Sequence, residues 1–249
     1  MDSNFKVPTE TVELPSKGLL YPADSPLASG KIEMKYMTAK EEDILSNINF
    51  IRKGTAIDKL MQSLIVDKSI NYKDLLVGDK NAIMIAARIL SYGKDYTFTY
   101  NDQQYTVDLS TVNNKELDKK AIKDGKNQFP FTFSKSGNEI TFKLLTHGDE
   151  NDIEREVEGR KKINKDSDTT GSTRLKYLIT SVNGQTEKKA IREFVDNYLL
   201  AAEARELRQH YQNIAPDVEL KFDVELDNGS EEAVDVPIGI NFFWPDVRV

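Results

Sequence analysis

The spacing of apolar residues changes several times along this chain, and these changes limit the folds open to it. In three places apolar residues occupy every second position on both sides of a short polar turn, which is typical of a β-hairpin. These pairs of runs are 96–100 with 105–109, 129–133 with 140–144, and 220–226 with 234–238. No strand–helix–strand rhythm links them, so we predict an α+β fold with three antiparallel hairpins rather than a parallel sheet.

Helical spacing fills most of the chain between the hairpins. The pattern predicts amphipathic helices over 38–54 and 55–67. The buried face of the first is expected to carry Ile44, Leu45, Ile48 and Ile51. Residues 82–90 are apolar on nearly every side, which predicts a core helix that Asp79 caps and Gly93 ends. A second helical group is predicted from 175 to 182 and again after Thr186, ending at Pro216.

Proline and glycine dominate the start of the chain, so a long helix cannot form there. Short alternating runs on either side of this stretch predict an extended β arm around a wrapped loop. The resulting division is an N-terminal arm at 1–36, a first helical group at 37–95, two hairpins at 96–147, a charged loop with the second helical group at 148–215, and a C-terminal hairpin with an aromatic tail at 216–249.

Composition excludes several classes of function. The net charge is −7 with dispersed basic residues, which disfavours nucleic acid as a partner. The chain has no cysteine and only two histidines, His147 and His210, so zinc is not expected and both histidines are interpreted as surface residues. It shows neither a membrane-spanning apolar run nor a secretion signal, so we expect no membrane partner and synthesis that ends in the cytoplasm.

Motifs for catalysis or cofactor binding are missing from the sequence. Neither a phosphate-binding glycine loop nor a nucleophile elbow occurs. The stretch "DSDTTG" at 166–171 starts like a calcium loop, but Tyr177 stands where a bidentate glutamate belongs. We therefore interpret 166–172 as a mobile polar loop, and predict no enzyme activity, no catalytic residues, no cofactor and no metal.

Several unusual sequence blocks resemble one family. They are "ELPSKGLLYP" at 13–22, "LLVGDKNAIMIAARILSYGKDY" at 75–96, "FKLLTHGDE" at 142–150, "RLKYLITSVNG" at 174–184, "AAEARELRQHYQNIAPDVEL" at 201–220 and "VPIGINFFWPD" at 236–246. Together they are similar to baseplate hub assembly proteins of T-even-type contractile-tailed bacteriophages. Many relatives carry zinc-ribbon-like C-x-x-C pairs at two hairpin tips, whereas the tips here, at 100–105 and 225–233, contain no cysteine.

The resemblance implies a chaperone-like assembly factor that acts late in infection and binds baseplate hub and tape-measure proteins. It implies work in the host cytoplasm, with the virion baseplate as a second location. A permanent structural subunit of the baseplate hub is the alternative function, and self-association stays open.

Both ends of the chain are candidates for binding a partner, because each is apolar and stiffened by proline. The predicted protein-binding residues are Leu14, Pro15, Leu19, Leu20, Tyr21, Pro22, Phe242, Phe243, Trp244 and Pro245. The competing interpretation is that both ends pack on their own domain. In that case the tail is the last strand of the third hairpin, and Phe243 faces outward while Phe242 and Trp244 cover the helices.

Overall fold

The computed structural model describes residues 6–115, 117, 122, 125–163, 168–226 and 229–243. Its strands are β1 Thr9–Glu13, β2 Lys31–Lys35, β3 Asp95–Tyr100, β4 Gln103–Asp108, β5 Phe129–Thr132, β6 Glu139–Phe142, β7 Ile179–Val182, β8 Lys221–Glu225 and β9 Glu231–Asp235. Pairing is antiparallel in β1–β2, β3–β4, β5–β6–β7 and β8–β9. The predicted α+β class with antiparallel hairpins is confirmed.

The helices lie between these small sheets. They are α1 Ala39–Ser46, α2 Ile48–Arg52, α3 Ala56–Leu64, α4 Val77–Tyr92, α5 His147–Ile163, α6 Thr170–Leu178, α7 Lys188–Asn197, α8 Ala201–Ile214 and α9 Ile240–Phe243. Within the described ranges, no helix is long and apolar enough to cross a lipid bilayer.

Helix α4 lies in the core, as its apolar sequence predicts. Its buried residues point in several directions, and Ile83 and Ala87 are almost completely covered. Near its start, Gly78 lies against the chain at Pro216, where a Cβ on this glycine would come 1.9 Å from the Pro216 carbonyl oxygen. Asn81 also donates a hydrogen bond to Asp217 (3.0 Å). Two distant parts of the chain therefore meet at the first turns of α4.

The first predicted hairpin shows why alternation identified the strands correctly. Tyr96, Phe98 and Val107 are buried from one face of β3–β4. The turn lies at Asn101 and Asp102, which both have positive φ angles (49° and 62°). Asparagine and aspartate tolerate this conformation, and a two-residue turn of this kind matches the twist of the strands.

The helix predicted over 38–54 is interrupted. Asn47 leaves the helical conformation, and its side chain accepts hydrogen bonds from the backbone N–H groups of Asn49 and Phe50, so that it caps α2. The change of direction removes the second half of the predicted apolar face from the core. Leu45 is buried, but Ile48 is 62% exposed and Ile51 is 39% exposed.

The sequence also misassigned the segment 175–182. Helix α6 begins at Thr170 and ends at Leu178, and residues Ile179–Val182 form strand β7 on the edge of β6. Leu175, Leu178, Ile179 and Val182 are buried, but two elements share them. A short apolar run does not distinguish a buried strand from a helix by spacing alone.

The charged stretch after 147 forms helix α5 rather than a loop. Ile153 and Val157 give it a narrow buried stripe, and acidic residues lie in its first turn and basic residues in its last, which favours the helix dipole. Of the predicted mobile loop, Thr170–Ser172 belong to α6, Asp168 accepts hydrogen bonds from Thr170, and 166–167 lie outside the described residues.

The prediction that both histidines lie on the surface is wrong for His147, whereas His210 is partly exposed. His147 is buried at the start of α5, and its Nε2 lies 2.8 Å from the Asp58 carboxylate. His210 is half-buried, with its ring centroid 5.0 Å from that of Phe131. Among the residues that the structure covers, no group of three or more His, Cys, Asp or Glu could hold a metal ion.

Candidate binding surface

The loop between β1 and β2, which we call the arm loop (residues 14–30), is folded tightly on itself. Lys17 and Gly18 have positive φ angles of 53° and 77° and turn the chain sharply. A Cβ on Gly18 would lie 2.3 Å from the carbonyl oxygen of Ala28, which shows how closely the two sides of the loop approach. Only glycine fits this combination of backbone conformation and contact.

A buried carboxylate fastens the arm loop to the core helix. Asp79 accepts hydrogen bonds from the backbone N–H of Ser16 (2.9 Å), the Ser16 hydroxyl (2.6 Å) and the Tyr21 hydroxyl (2.6 Å). The Tyr21 hydroxyl in turn accepts from the N–H of Leu76, the residue before α4 (2.9 Å). The loop and the start of α4 therefore share one buried polar network.

Asp79 thus has a different role from the cap that its position suggested. Helix α4 begins at Val77, so Asp79 lies inside the first turn and its carboxylate reaches the arm loop. Burial raises the pKa of Asp79, and the hydrogen bonds from Ser16 and Tyr21 partly oppose this by favouring the carboxylate. Burial and the neighbouring Asp79 also raise the pKa of the Tyr21 hydroxyl.

A second carboxylate holds the base of the arm. Glu41 is buried at the start of α1 and accepts hydrogen bonds from Lys35 (2.7 Å), Ser63 (2.7 Å) and the backbone and hydroxyl of Thr38. Burial alone would raise the pKa of the Glu41 carboxyl, but the hydrogen bonds from Lys35, Thr38 and Ser63 lower it to about 2. Strand β2, α1 and α3 are thereby joined at one point.

The structure separates the six binding candidates in the arm into two sets. Leu14, Pro15, Leu20 and Tyr21 are buried against their own domain. Leu19 is 40% exposed and Pro22 is exposed as well. The arm loop therefore presents Leu19 and Pro22 to solvent from a backbone that the buried residues and Asp79 hold in place.

The four candidates at the C-terminal end are placed differently. Residues Ile240–Phe243 form the short helix α9 rather than a strand, and Phe242 and Phe243 are both 0% exposed. The Phe242 ring packs edge-on against Tyr96, with ring centroids 4.9 Å apart. In a helical turn the side chains no longer alternate between two faces, so Phe243 does not point outward as a strand would require. Trp244 and Pro245 lie outside the described residues.

Sequence reasoning missed the exposed apolar pair on α2. Ile48 and Ile51 lie one helical turn apart, so they share a face. The signal that could have revealed them is Asn47, since asparagine at a helix start is a common cap. The interruption was hidden because the apolar spacing continues across it.

Comparison with known proteins supplies one match. The family model described as T4 bacteriophage base plate protein matches residues 7–244, nearly the whole chain. Comparisons with curated proteins and with solved structures find no match.

Proposed function

Since the chain belongs to the T4 bacteriophage base plate protein family, we propose that it is a non-enzymatic assembly factor for the baseplate hub of a contractile phage tail. A role in the phage baseplate follows from the family, whose members are generally structural. The finer role proposed is to bind hub or tape-measure proteins in the host cytoplasm while the tail is built.

The observation that carries this proposal is the construction of the arm loop. Asp79 and the buried Leu14, Leu20 and Tyr21 fix its backbone, and Leu19 stays exposed on it. A rigid loop loses little conformational entropy when a partner docks, so an exposed leucine on it is a more effective contact than one on a mobile chain. We infer that Leu19 and Pro22 contact the partner.

A permanent structural subunit of the hub is the second candidate, and the tail favours it. Phe242 and Phe243 are buried in their own fold, so neither is free to cover an apolar surface of an unfinished partner. A chaperone that shields such surfaces would need large exposed aromatic or aliphatic area, whereas a subunit needs only a fitted interface.

Pull-down after co-expression with each hub and tape-measure protein tests the binding role. Leu19→Asp places a charge on the arm loop and is expected to abolish capture of the partner. Leu200→Asp is the matched control, because Leu200 is similarly exposed (48%) but lies between α7 and α8. Capture that survives Leu19→Asp, or no capture of any tail protein by the native chain, would reject the proposal.

Mass spectrometry of purified phage particles distinguishes the two roles. An assembly factor that leaves before maturation is expected to be absent from particles but present in tail intermediates. Stoichiometric amounts in finished baseplates would instead support the permanent subunit.

A further inference from the structure

A second region of the molecule has the features of a binding site. It is a cleft of about 810 Å³ lined by residues of α3, α4, α5 and α6, together with Tyr72 and Ile238. None of the eight predicted binding residues that the structure describes lines it. Its volume is within the usual range of sites that hold a compact ligand or a few side chains of a partner.

Part of the cleft surface is apolar. Ile57 of α3, Val77 of α4 and Ile238 lie in its lining and are half-buried, whereas Met84 of α4 and Ile153 and Val157 of α5 line it from the core and are buried. Apart from Ile238, these residues come from three different helices, so the apolar surface depends on how the helices pack. A surface of this kind favours an apolar group of a ligand over water.

Lys80 places an unpaired cation in the same cleft. Its ammonium forms no hydrogen bond or ion pair with any residue that the structure covers, although four carboxylates exert longer-range attraction, those of Asp58, Glu150, Asp217 and Glu154. Burial lowers the pKa of Lys80, and those carboxylates partly oppose the change. Two of these carboxylates already have closer partners, because Arg174 binds Glu150 through two nitrogens (3.0 and 2.5 Å) and His147 lies 2.8 Å from Asp58.

The hydroxyl of Tyr72, another lining residue, also lacks a polar partner within the described part of the chain. Tyr72 is only 2% exposed. Its ring packs edge-on against His147, with centroids 4.7 Å apart. Buried hydroxyl groups are normally hydrogen-bonded, so an unsatisfied one in the lining of a cleft indicates a place for a polar ligand group or the water that it carries.

Charged residues of α5 also line the cleft, namely Glu154, Glu158 and Lys161. Glu154 and Glu158 are four residues apart, which places them on one side of the helix, and both are exposed. Neither forms an ion pair with a described residue. They are available to basic side chains that approach the cleft from outside.

We propose that this cleft binds an amphipathic segment of another baseplate protein, with an aspartate or glutamate paired to Lys80, apolar side chains on Ile57, Val77 and Ile238, and lysine or arginine beside Glu154 and Glu158. The proposal rests on the proposed function, because it takes the partner from the same assembly. Opposite charges inside the cleft and along its edge fix the direction of the segment and give specificity.

Fluorescent 20-residue peptides that tile the hub and tape-measure proteins of the same phage are the probe, and anisotropy with the full chain is the measurement. At least one peptide with the stated pattern is expected to bind. Lys80→Met keeps the approximate length of the side chain and removes the charge. It should therefore lower the affinity of the protein for that peptide about tenfold or more. Lys40→Met, at an exposed position on α1, is the matched control and should leave binding unchanged.

A peptide variant then tests the direct contact. Replacing the acidic residue of the bound peptide by its amide should cause the same loss, and this change combined with Lys80→Met should cause little further loss. Lys80→Met is also expected to melt no lower than the native chain, because it removes a desolvated unpaired charge. Binding that Lys80→Met leaves intact, or no peptide that binds, would overturn the proposal.

The two proposals can fail separately. If a hub protein is captured and Leu19→Asp abolishes capture while Lys80→Met has no effect, the arm proposal stands and the cleft proposal falls. If Lys80→Met weakens peptide binding but Leu19→Asp leaves capture of the intact partner unchanged, the cleft proposal stands and the arm loop is not the contact.

Discussion

The arm loop and the C-terminal tail look alike in sequence but are built differently. Both are short, apolar and rich in proline. In the tail, Phe242 and Phe243 hold the backbone in place by being buried themselves. In the arm loop, Asp79 and part of the apolar set hold the backbone, so Leu19 can remain outside. An apolar segment becomes a contact surface only where other groups fix it.

The largest effect is expected from the tail. Phe242→Ala removes a fully buried ring that packs on Tyr96, and it should lower the free energy of unfolding by about 3–5 kcal/mol through lost burial and a residual cavity. Urea denaturation followed by circular dichroism measures the change. An unchanged urea midpoint would show that the tail does not stabilise the fold, and the tail would then not differ from the arm loop in the way described.

Removing the carboxylate that holds the arm loop should cause the second-largest loss in the free energy of unfolding. Asp79→Ala leaves the Ser16 N–H and two hydroxyl groups without their acceptor, and we expect a loss of about 2–4 kcal/mol in urea denaturation. Ser16→Ala removes only one of the three donors, so a loss of about 1 kcal/mol is expected from it. Equal losses from the two variants would mean that Asp79 is not the centre of the network.

The tight turn of the arm loop permits a matched pair of glycine substitutions. Gly18 and Gly137 have similar φ angles (77° and 71°), but a Cβ would meet backbone atoms only at Gly18. Gly137→Ala should cost about 1 kcal/mol from the backbone conformation alone, and Gly18→Ala about 2–3 kcal/mol because the loop must also shift. Differential scanning calorimetry would show the ranking, and the reverse order would exclude the close approach.

The contribution of Glu41 at the base of the arm should be visible in the pH dependence of the free energy of unfolding. The folded pKa of Glu41 is about 2, below its usual value of 4.5, so its contribution to stability is complete above pH 4.5 and is lost as the pH falls towards 2. Glu41→Gln should therefore be less stable than the native chain by about 2–3 kcal/mol at pH 7, and the gap should close in acid. For Asp79 the sign is opposite, because burial raises its pKa, so the part of the stability that depends on its ionisation increases as the pH falls. Stability curves of Glu41→Gln and the native chain that stay parallel from pH 7 to 3 would contradict this.

The smallest effect on stability is expected at Leu19. Its side chain is 40% exposed, so Leu19→Ala should change the free energy of unfolding by less than about 0.5 kcal/mol in urea denaturation. Leu20→Ala is the neighbouring control and should cost about 2–5 kcal/mol, since Leu20 is buried. Similar losses of stability at both positions would show that Leu19 is packed as firmly as Leu20, and the arm loop would then have no separate exposed contact.

Elements that are determined by residues close together in the sequence were predicted correctly. The hairpin β3–β4 carries its alternation and its turn within 95–108, and α4 carries enough apolar residues to be recognised as a core helix. Strand β7 was missed because only its pairing with β6 separates it from the end of α6. The charged helix α5 was missed because only two buried apolar residues, together with neighbours such as Arg174 and Arg192, hold it.

The candidate surface was predicted less completely than the fold, for a physical reason. The ten candidates were chosen because they are apolar, and apolar residues occur both in cores and at interfaces. Leu19 and Leu20 are adjacent in an irregular loop, so no periodicity shows which of them is buried. The conformation of the loop depends on the carboxylate of Asp79, which lies 63 positions away from Ser16 in the sequence. No local pattern links the two residues.

The contact of Gly78 with Pro216 has a consequence for synthesis on the ribosome. The start of α4 emerges early, but the backbone that packs on it and the acceptor for Asn81 emerge much later. The central helix must therefore wait, with one end uncovered, until most of the polypeptide has been translated. A nascent chain that stalls before Pro216 cannot reach the native state, which limits how early any binding partner could meet a finished molecule.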